Sequence, residues 1–157
     1  LHDALPILIV GFPGESEDEF QETYDFIVNH HFSELHVFPY SPRIGTPAAR
    51  MDNQIDEETK NVRVHKLISL SNQLAKEYAS KFEDEVLEVI PEEMGEEPHT
   101  LVGYADNYMK VRFEGDDSLI GQIVKVKIVK ANYPINEGKA IRVVKHATNQ
   151  SEKEVLV

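Results

Sequence analysis

Cysteine is absent from the 157 residues. This excludes a disulfide framework, a thiolate zinc site, a cysteine nucleophile and a cysteine-ligated iron–sulfur cluster within them. No apolar run approaches the roughly 18 residues of a membrane span, and no basic segment followed by an apolar one opens the chain as a secretory signal would. The sequence therefore reads as soluble and cytoplasmic, with no membrane partner. Basic residues are also scarce, 16 Lys+Arg against 28 Asp+Glu for a net charge of −12. That balance argues against non-specific nucleic-acid binding by the chain as a whole, and against a DNA partner. The first residue is Leu1 rather than methionine, which predicts a segment of a longer protein. The remaining composition, 41% apolar and 28% charged, is that of a globular chain of one domain or two small ones.

Charge is unevenly distributed. Residues 1–98 carry 7 Lys+Arg and 21 Asp+Glu, a net of −14, whereas residues 99–145 carry 8 and 5, a net of +3. The reversal suggests two units with different partners, the second a candidate for a polyanion; chance variation between surfaces is the alternative.

Ile7–Val10 is a short apolar run stopped by Gly11, Pro13 and Gly14, which predicts a strand buried on both faces of a parallel sheet. Ser16 with Glu19 three residues on has capping-box spacing, and Glu17, Asp18 and Glu19 complement a helix dipole. Phe20, Tyr24, Ile27 and Val28 fall on one face of the helix that follows, which ends near His30–His31, and Leu35–Phe38 reads as the next strand. Strand, glycine turn, helix and strand make a βαβ crossover. Tyr40–Ala49 reads as an ordered loop leaving the C-terminal end of a strand, where α/β sheets place their active sites. Asp56 caps a long helix with Val64, Leu67, Ile68, Leu74, Ala75, Tyr78 and Phe82 at helical spacing.

Beyond Phe82 the period becomes alternating. Runs at Glu85–Ile90, Thr100–Tyr104, Tyr108–Phe113, Ile120–Lys130 and Ala140–Val144 predict five strands, separated by turn signals at Pro91–Pro98, Asp106–Asn107, Glu114–Asp117 and Asn136–Gly138. A small all-β barrel or sandwich fits. Val124, Val126 and Ile128 face its core, leaving Lys125 and Lys127 outward.

Several residues could carry chemistry. The Gly11–Glu15 turn offers backbone N–H groups and a helix N-terminus to a polar ligand, or is simply a tight connection; Glu15 is a candidate for a cationic ligand group or a plain surface carboxylate. Arg43 could pair with a carboxylate, helped by the Tyr40 and Ser41 hydroxyls, or could tie the loop down. His30 and His31 are adjacent and cannot face one point, and His36, His65, His99 and His146 lack partners at ligand spacing, so no metal site is expected. Tyr104, Asn107, Tyr108, Lys110 and Arg112 cluster on one hairpin, joined by Lys125 and Lys127. Rings that stack bases beside cations that follow phosphates would suit single-stranded RNA; tyrosines finishing a core beside solvated lysines are the alternative.

Taken together, ILIVGFPGE, LHVFPYSPRIGTPAARM, LVGYADNYMKVRFEG and LIGQIVKVKIVKA resemble the C-terminal part of the radical S-adenosylmethionine methylthiotransferases, from about Ile9 to Val144. The resemblance implies an α/β fold in which residues 1–82 are the C-terminal end of a partial β/α barrel. Residues 83–146 would then be a small OB-like TRAM barrel, and 147–157 a tail. It further implies that Gly11, Phe12, Pro13 and Gly14 lie near S-adenosylmethionine, that Ser41 and Arg43 belong to the active-site loop, and that the β unit binds the tRNA anticodon arm. LHVFPYSPRIGTPAA is most similar to the enzymes acting on threonylcarbamoyl-adenosine. Those acting on isopentenyl-adenosine come next, and those acting on a ribosomal-protein aspartate, usually acidic where Pro42 and Arg43 stand, come third. The family's iron–sulfur clusters need cysteines absent here, so the chain alone is expected to be inactive, its contribution belonging to a longer parent. Leu1–Ile7 does not match the family, which suggests an artificial junction upstream of Leu8. A non-catalytic RNA-binding module is the competing class.

Overall fold

The computed structural model describes residues 6–144 and the backbone of Val155–Leu156; residues 1–5, His146 and most of the 147–157 tail lie outside the described residues. Contacts divide the chain into two compact units, residues 1–75 and 76–157.

The first unit is a βαβ crossover followed by a second helix. Strand β1 (Ile7–Val10) pairs in parallel with β2 (His36–Pro39), with Ile7 opposite His36 and Ile9 opposite Phe38. Helix α1 (Glu17–His30) begins at the expected capping box: the Ser16 hydroxyl accepts the Glu19 N–H, and the Glu19 carboxylate accepts the Ser16 N–H at 2.8 Å. His31, at φ 48°, ends it in the left-handed region. Helix α2 (Glu57–Ser80) starts behind Asp56, whose carboxylate accepts the Thr59 N–H at 2.8 Å and the Thr59 hydroxyl at 2.7 Å. Val10, Phe20, Ile27, Leu35, Leu67, Leu70 and Leu74 form one apolar cluster between the strands and the two helices. Burying side chains such as Phe20 and Leu67 this fully stabilises by about 2–3 kcal/mol each.

Two expectations are corrected. β1 is covered on one face only: Ile7 and Ile9 are 71% and 55% exposed, beside Phe38 on β2, because both helices pack against the opposite face, where Leu8 and Val10 point. Val28 and Ile68, at helical spacing with the core residues, sit at the rim of their helices and remain exposed.

The second unit is a five-stranded closed barrel. Its strands are β3 (Val86–Met94), β4 (Thr100–Ala105), β5 (Lys110–Glu114), β6 (Ile123–Lys130) and β7 (Asn136–Val144). They run in the order β5-β4-β3-β6-β7, and a parallel β5–β7 pairing, Val111 opposite Asn136, closes the circle; β8 (Val155–Leu156) adds to β7. Val89, Leu101, Val111, Phe113, Val124, Val126 and Ile128 fill the interior together with Tyr78 and Ala79 from the end of α2. Thus the contacts divide the chain within α2, while the change of periodicity falls at Phe82.

Where turns were expected at Pro91 and at Asn136–Gly138, the chain continues as strand. β3 passes through Pro91 by a bulge between Pro91 and Glu93, and Gly103 on β4 makes this possible. A Cβ on Gly103 would stand 2.1 Å from the Ile90 carbonyl oxygen and 2.5 Å from the Pro91 Cα, so only glycine permits this approach. Asn136 is buried and stitches the seam: its side-chain N–H donates to the Lys110 carbonyl at 3.0 Å, and its side-chain oxygen accepts the Asn132 N–H at 3.0 Å.

Candidate functional site

Because β1 and β2 are parallel, the chain leaves both at the same edge of the sheet. The Gly11–Glu15 turn and the loop after β2 therefore meet there, joined by the Tyr40 N–H to the Val10 carbonyl at 2.8 Å and by an edge-on contact of the Phe12 and Tyr40 rings at 5.3 Å. The structure brings these sequence-singled residues together. Gly11, at φ 74°, is buried against the stem of Lys60, where a Cβ would stand 2.2 Å from the Lys60 Cγ. Pro13 is buried, and Gly14, at φ 91°, donates its N–H to the Asn53 carbonyl at 2.9 Å. The Phe12 ring is half-exposed, and the Tyr40 hydroxyl is buried without a partner among the described residues. A half-open ring beside an unsatisfied hydroxyl and a glycine-rich backbone suits a flat heteroaromatic group with polar edges.

Glu15 takes neither role expected of it. Its carboxylate accepts the Gly11 N–H at 2.8 Å and an Arg63 N–H at 2.6 Å, and Arg63 also donates to the Glu15 carbonyl at 3.1 Å and to Glu17 at 3.2 Å. Arg63 is only 4% exposed, and its guanidinium lies 5.2 Å above the Phe20 ring. Beside it, buried Lys60 donates to the Tyr40 carbonyl at 3.3 Å and pairs with Glu57. Sequence reasoning missed both cations. Their signal was register, since Lys60 and Arg63 share the helical stripe of Leu67, Leu70 and Leu74 and so must be buried. Ser41 and Arg43 are exposed on the loop, whose fold is held by the Arg43 carbonyl accepting the Thr46 N–H and hydroxyl.

On the barrel, Ile90, Tyr104 and Lys110 stand side by side across β3, β4 and β5, with the Lys110 ammonium 5.7 Å from the centre of the Tyr104 ring. Tyr108, at φ 66°, projects from the β4–β5 turn and is 58% exposed; Tyr104 is 43% exposed. Neither ring finishes the core. Asn107 is engaged within the turn: its side-chain oxygen accepts the Met109 N–H at 3.2 Å and its amide approaches the Met109 sulfur at 3.3 Å. Lys125 and Lys127 do face outward, but they lie opposite Glu88 and Val86, further along β3 from the Tyr104 row.

The cations are not free. Lys110 pairs with Glu93 at 3.6 Å, Arg112 with Glu97 at 2.9 Å and Glu137 at 4.0 Å, Lys125 with Glu88 at 3.8 Å, and Lys127 with Asp84 at 2.9 Å. The basic balance of residues 99–145 does not describe the folded barrel either, because β3 and its flanks contribute acids to the same surface. Residues 81–141 hold 7 Lys+Arg and 13 Asp+Glu, a net of −6.

Those same residues, 81–141, match the TRAM domain, so the closed barrel is a TRAM domain. Over 140 residues the chain is 67% identical to the threonylcarbamoyladenosine tRNA methylthiotransferase MtaB of Bacillus subtilis, covering 87% of this chain and 31% of that protein. It is 39% identical over 138 residues to the tRNA-2-methylthio-N(6)-dimethylallyladenosine synthase of Aquifex aeolicus, covering 88% and 31%. To the synthase of the same name in Alkaliphilus oremlandii it is 38% identical over 136 residues, covering 86% and 29%. The chain is thus similar to these tRNA methylthiotransferases, and it spans about a third of the length of the curated relatives it matches.

Proposed function

We propose that the chain serves as the C-terminal part of a cytoplasmic radical S-adenosylmethionine methylthiotransferase that modifies threonylcarbamoyl-adenosine next to the tRNA anticodon. The observation that carries this reading is the gap between 67% identity to the threonylcarbamoyl-adenosine enzyme and 38–39% to the dimethylallyl-adenosine enzymes. In this reading the βαβ segment is the end of the β/α barrel, and the bare apolar face of β1 and β2 turns toward the strands and cavity supplied by the rest of the protein. Residues 83–146 hold the anticodon arm.

The residues at the strand ends fit the adenosine part of S-adenosylmethionine. The Phe12 ring would lie against the purine, with the backbone of Gly11–Gly14 and the orphaned Tyr40 hydroxyl serving its polar atoms. Bound together with its reductant, that cofactor supplies the radical chemistry of methylthiolation. The Glu15 carboxylate, held by Arg63, keeps the turn in shape by accepting the Gly11 N–H, and Ser41 and Arg43 stand on the same edge for the substrate. Iron–sulfur ligands must come from other residues, since the chain has no cysteine, and the chain alone is inactive in this account.

On the barrel, Tyr104 and Tyr108 stack bases while Lys110, Arg112, Lys125 and Lys127 meet phosphates. Fluorescence anisotropy with a labelled anticodon stem-loop tests this on the full chain. Loss of a base-stacking ring costs about 1–3 kcal/mol, so Tyr104→Ala weakens binding by about five- to 150-fold. Unchanged affinity in both Tyr104→Ala and Tyr108→Ala would remove the barrel face from RNA recognition.

A further inference from the structure

Five of the seven cations within residues 81–141 have a carboxylate within 4.0 Å: Lys110, Arg112, Lys125, Lys127 and Lys130. The pairing is systematic. Glu88 faces Lys125 directly across β3 and β6, Glu93 reaches Lys110 across β4, Glu97 reaches Arg112 from the loop between β3 and β4, and Glu137 sits between Arg112 and Lys130. Four of these five cations are the ones that would meet phosphate. The barrel strands and their loops, residues 86–144, hold 7 Lys+Arg and 10 Asp+Glu, and a net charge of −3 repels polyanions at long range.

We infer that Glu88, Glu93 and Glu97 determine specificity by occupying the phosphate-binding cations, so that RNA binds by exchanging a carboxylate for a phosphate at each one. The inference rests on the RNA-binding reading above and deepens it. An exposed ion pair is weak, so the exchange is reversible and cheap for an RNA that also stacks on Tyr104 and Tyr108. For an RNA that offers phosphates alone, it removes most of the electrostatic gain on which non-specific binding depends. The acids thus hold back arbitrary RNA while leaving a ligand with the right shape and bases able to bind.

The test measures anisotropy of two labelled probes, an anticodon stem-loop and an oligouridine of equal length, with the full chain at about 50 and 200 mM KCl. Glu88→Gln and Glu93→Gln free Lys125 and Lys110, Glu97→Gln leaves Arg112 only the longer contact with Glu137 at 4.0 Å, and exposed-pair energies correspond to about threefold in affinity per site. The triple variant Glu88→Gln, Glu93→Gln, Glu97→Gln is therefore expected to bind oligouridine tens of times more tightly at the lower salt, with the gain shrinking at the higher. Glu22→Gln on α1 changes net charge by one unit, as each single barrel variant does, without freeing a barrel cation, and is expected to leave both probes unaffected. Circular dichroism checks the fold, and the single variants Glu93→Gln and Glu97→Gln replace the triple one if it unfolds.

Oligouridine affinity that stays level or falls in the variants overturns the inference. If the wild type still binds the stem-loop in a Tyr104-dependent manner, the RNA reading survives that failure. If neither wild type nor variants bind either probe at the lower salt, both fall.

Discussion

The Arg63 guanidinium donates to the Glu15 carboxylate at 2.6 Å across 48 residues of sequence, and the same carboxylate oxygen accepts the Gly11 N–H at 2.8 Å. One part-buried acid thereby fixes both ends of the glycine turn and ties it to α2. Removing Arg63 leaves the Glu15 carboxylate with only the Gly11 N–H among the described residues, whereas removing Glu15 leaves buried Arg63 its bond to Glu17 at 3.2 Å.

Arg63→Ala is accordingly expected to destabilise the chain by up to about 3 kcal/mol, the low end of the penalty for breaking a buried ion pair, because Glu15 keeps some exposure and the Gly11 N–H. Urea unfolding followed by circular dichroism measures it. Glu15→Ala also releases the Gly11 N–H, whose hydrogen exchange should accelerate. Glu15→Gln keeps an acceptor for that N–H and should protect it. Equal exchange at Gly11 in the two Glu15 variants would mean the carboxylate does not hold the turn.

The barrel seam makes a separate prediction. Asn136→Ala leaves the Lys110 carbonyl and the Asn132 N–H without their partner, at a cost of about 1–3 kcal/mol. For a unit of this size that lowers the thermal midpoint by roughly 5–20 °C. Gly103→Ala should be worse, since its methyl group would collide with the backbone of β3 rather than with a yielding side chain. A Gly103→Ala barrel as stable as wild type would contradict the close approach of β3 and β4.

Acid should loosen the helix caps. The Thr59 backbone N–H, then its hydroxyl, holds the Asp56 carboxyl below its ordinary value of 3.8, and the Ser16 N–H and hydroxyl hold Glu19 below 4.5. A lowered folded-state pKa means that the stabilisation is fully present above the ordinary value and is lost as pH falls through the folded one. Asp56→Asn keeps a capping oxygen that does not titrate in this range. Its thermal midpoint should therefore gain on wild type as pH drops from about 4 to about 2. A pH-independent difference would show that the Asp56 charge is not what caps α2.

The elements most legible in the sequence were those with strong period and local chemistry: β1, the Ser16 capping box, α1, the crossover to β2, α2 behind Asp56, and the alternating β6. What escaped was set by contacts between segments distant in sequence. Pro91 and Asn136–Gly138 carry turn residues, yet pairing with Gly103 and closure onto β5 draw them into strands. Arg63 escaped notice because its partner lies 48 residues away. The bare face of β1 follows from its having one neighbouring strand and helices on one side only, which an apolar run cannot reveal. Charge misled most, since a window starting at residue 99 separates the barrel's cations from the acids of β3 and of the loop after it that pair with them. The glycine turn, the loop after β2 and the Tyr104 hairpin were all singled out as candidates in the sequence. The roles of Glu15 and Asn107 inside their own turns needed coordinates.

The account is tested most directly by exchange. Residues 6–144 would replace the matching segment of the Bacillus subtilis relative in cells lacking that enzyme, and the methylthio content of threonylcarbamoyl-adenosine in total tRNA would be measured by mass spectrometry. The account predicts that the hybrid restores the methylthio mark on that nucleoside. A hybrid that accumulates as a folded, soluble protein yet leaves threonylcarbamoyl-adenosine unmodified would contradict it.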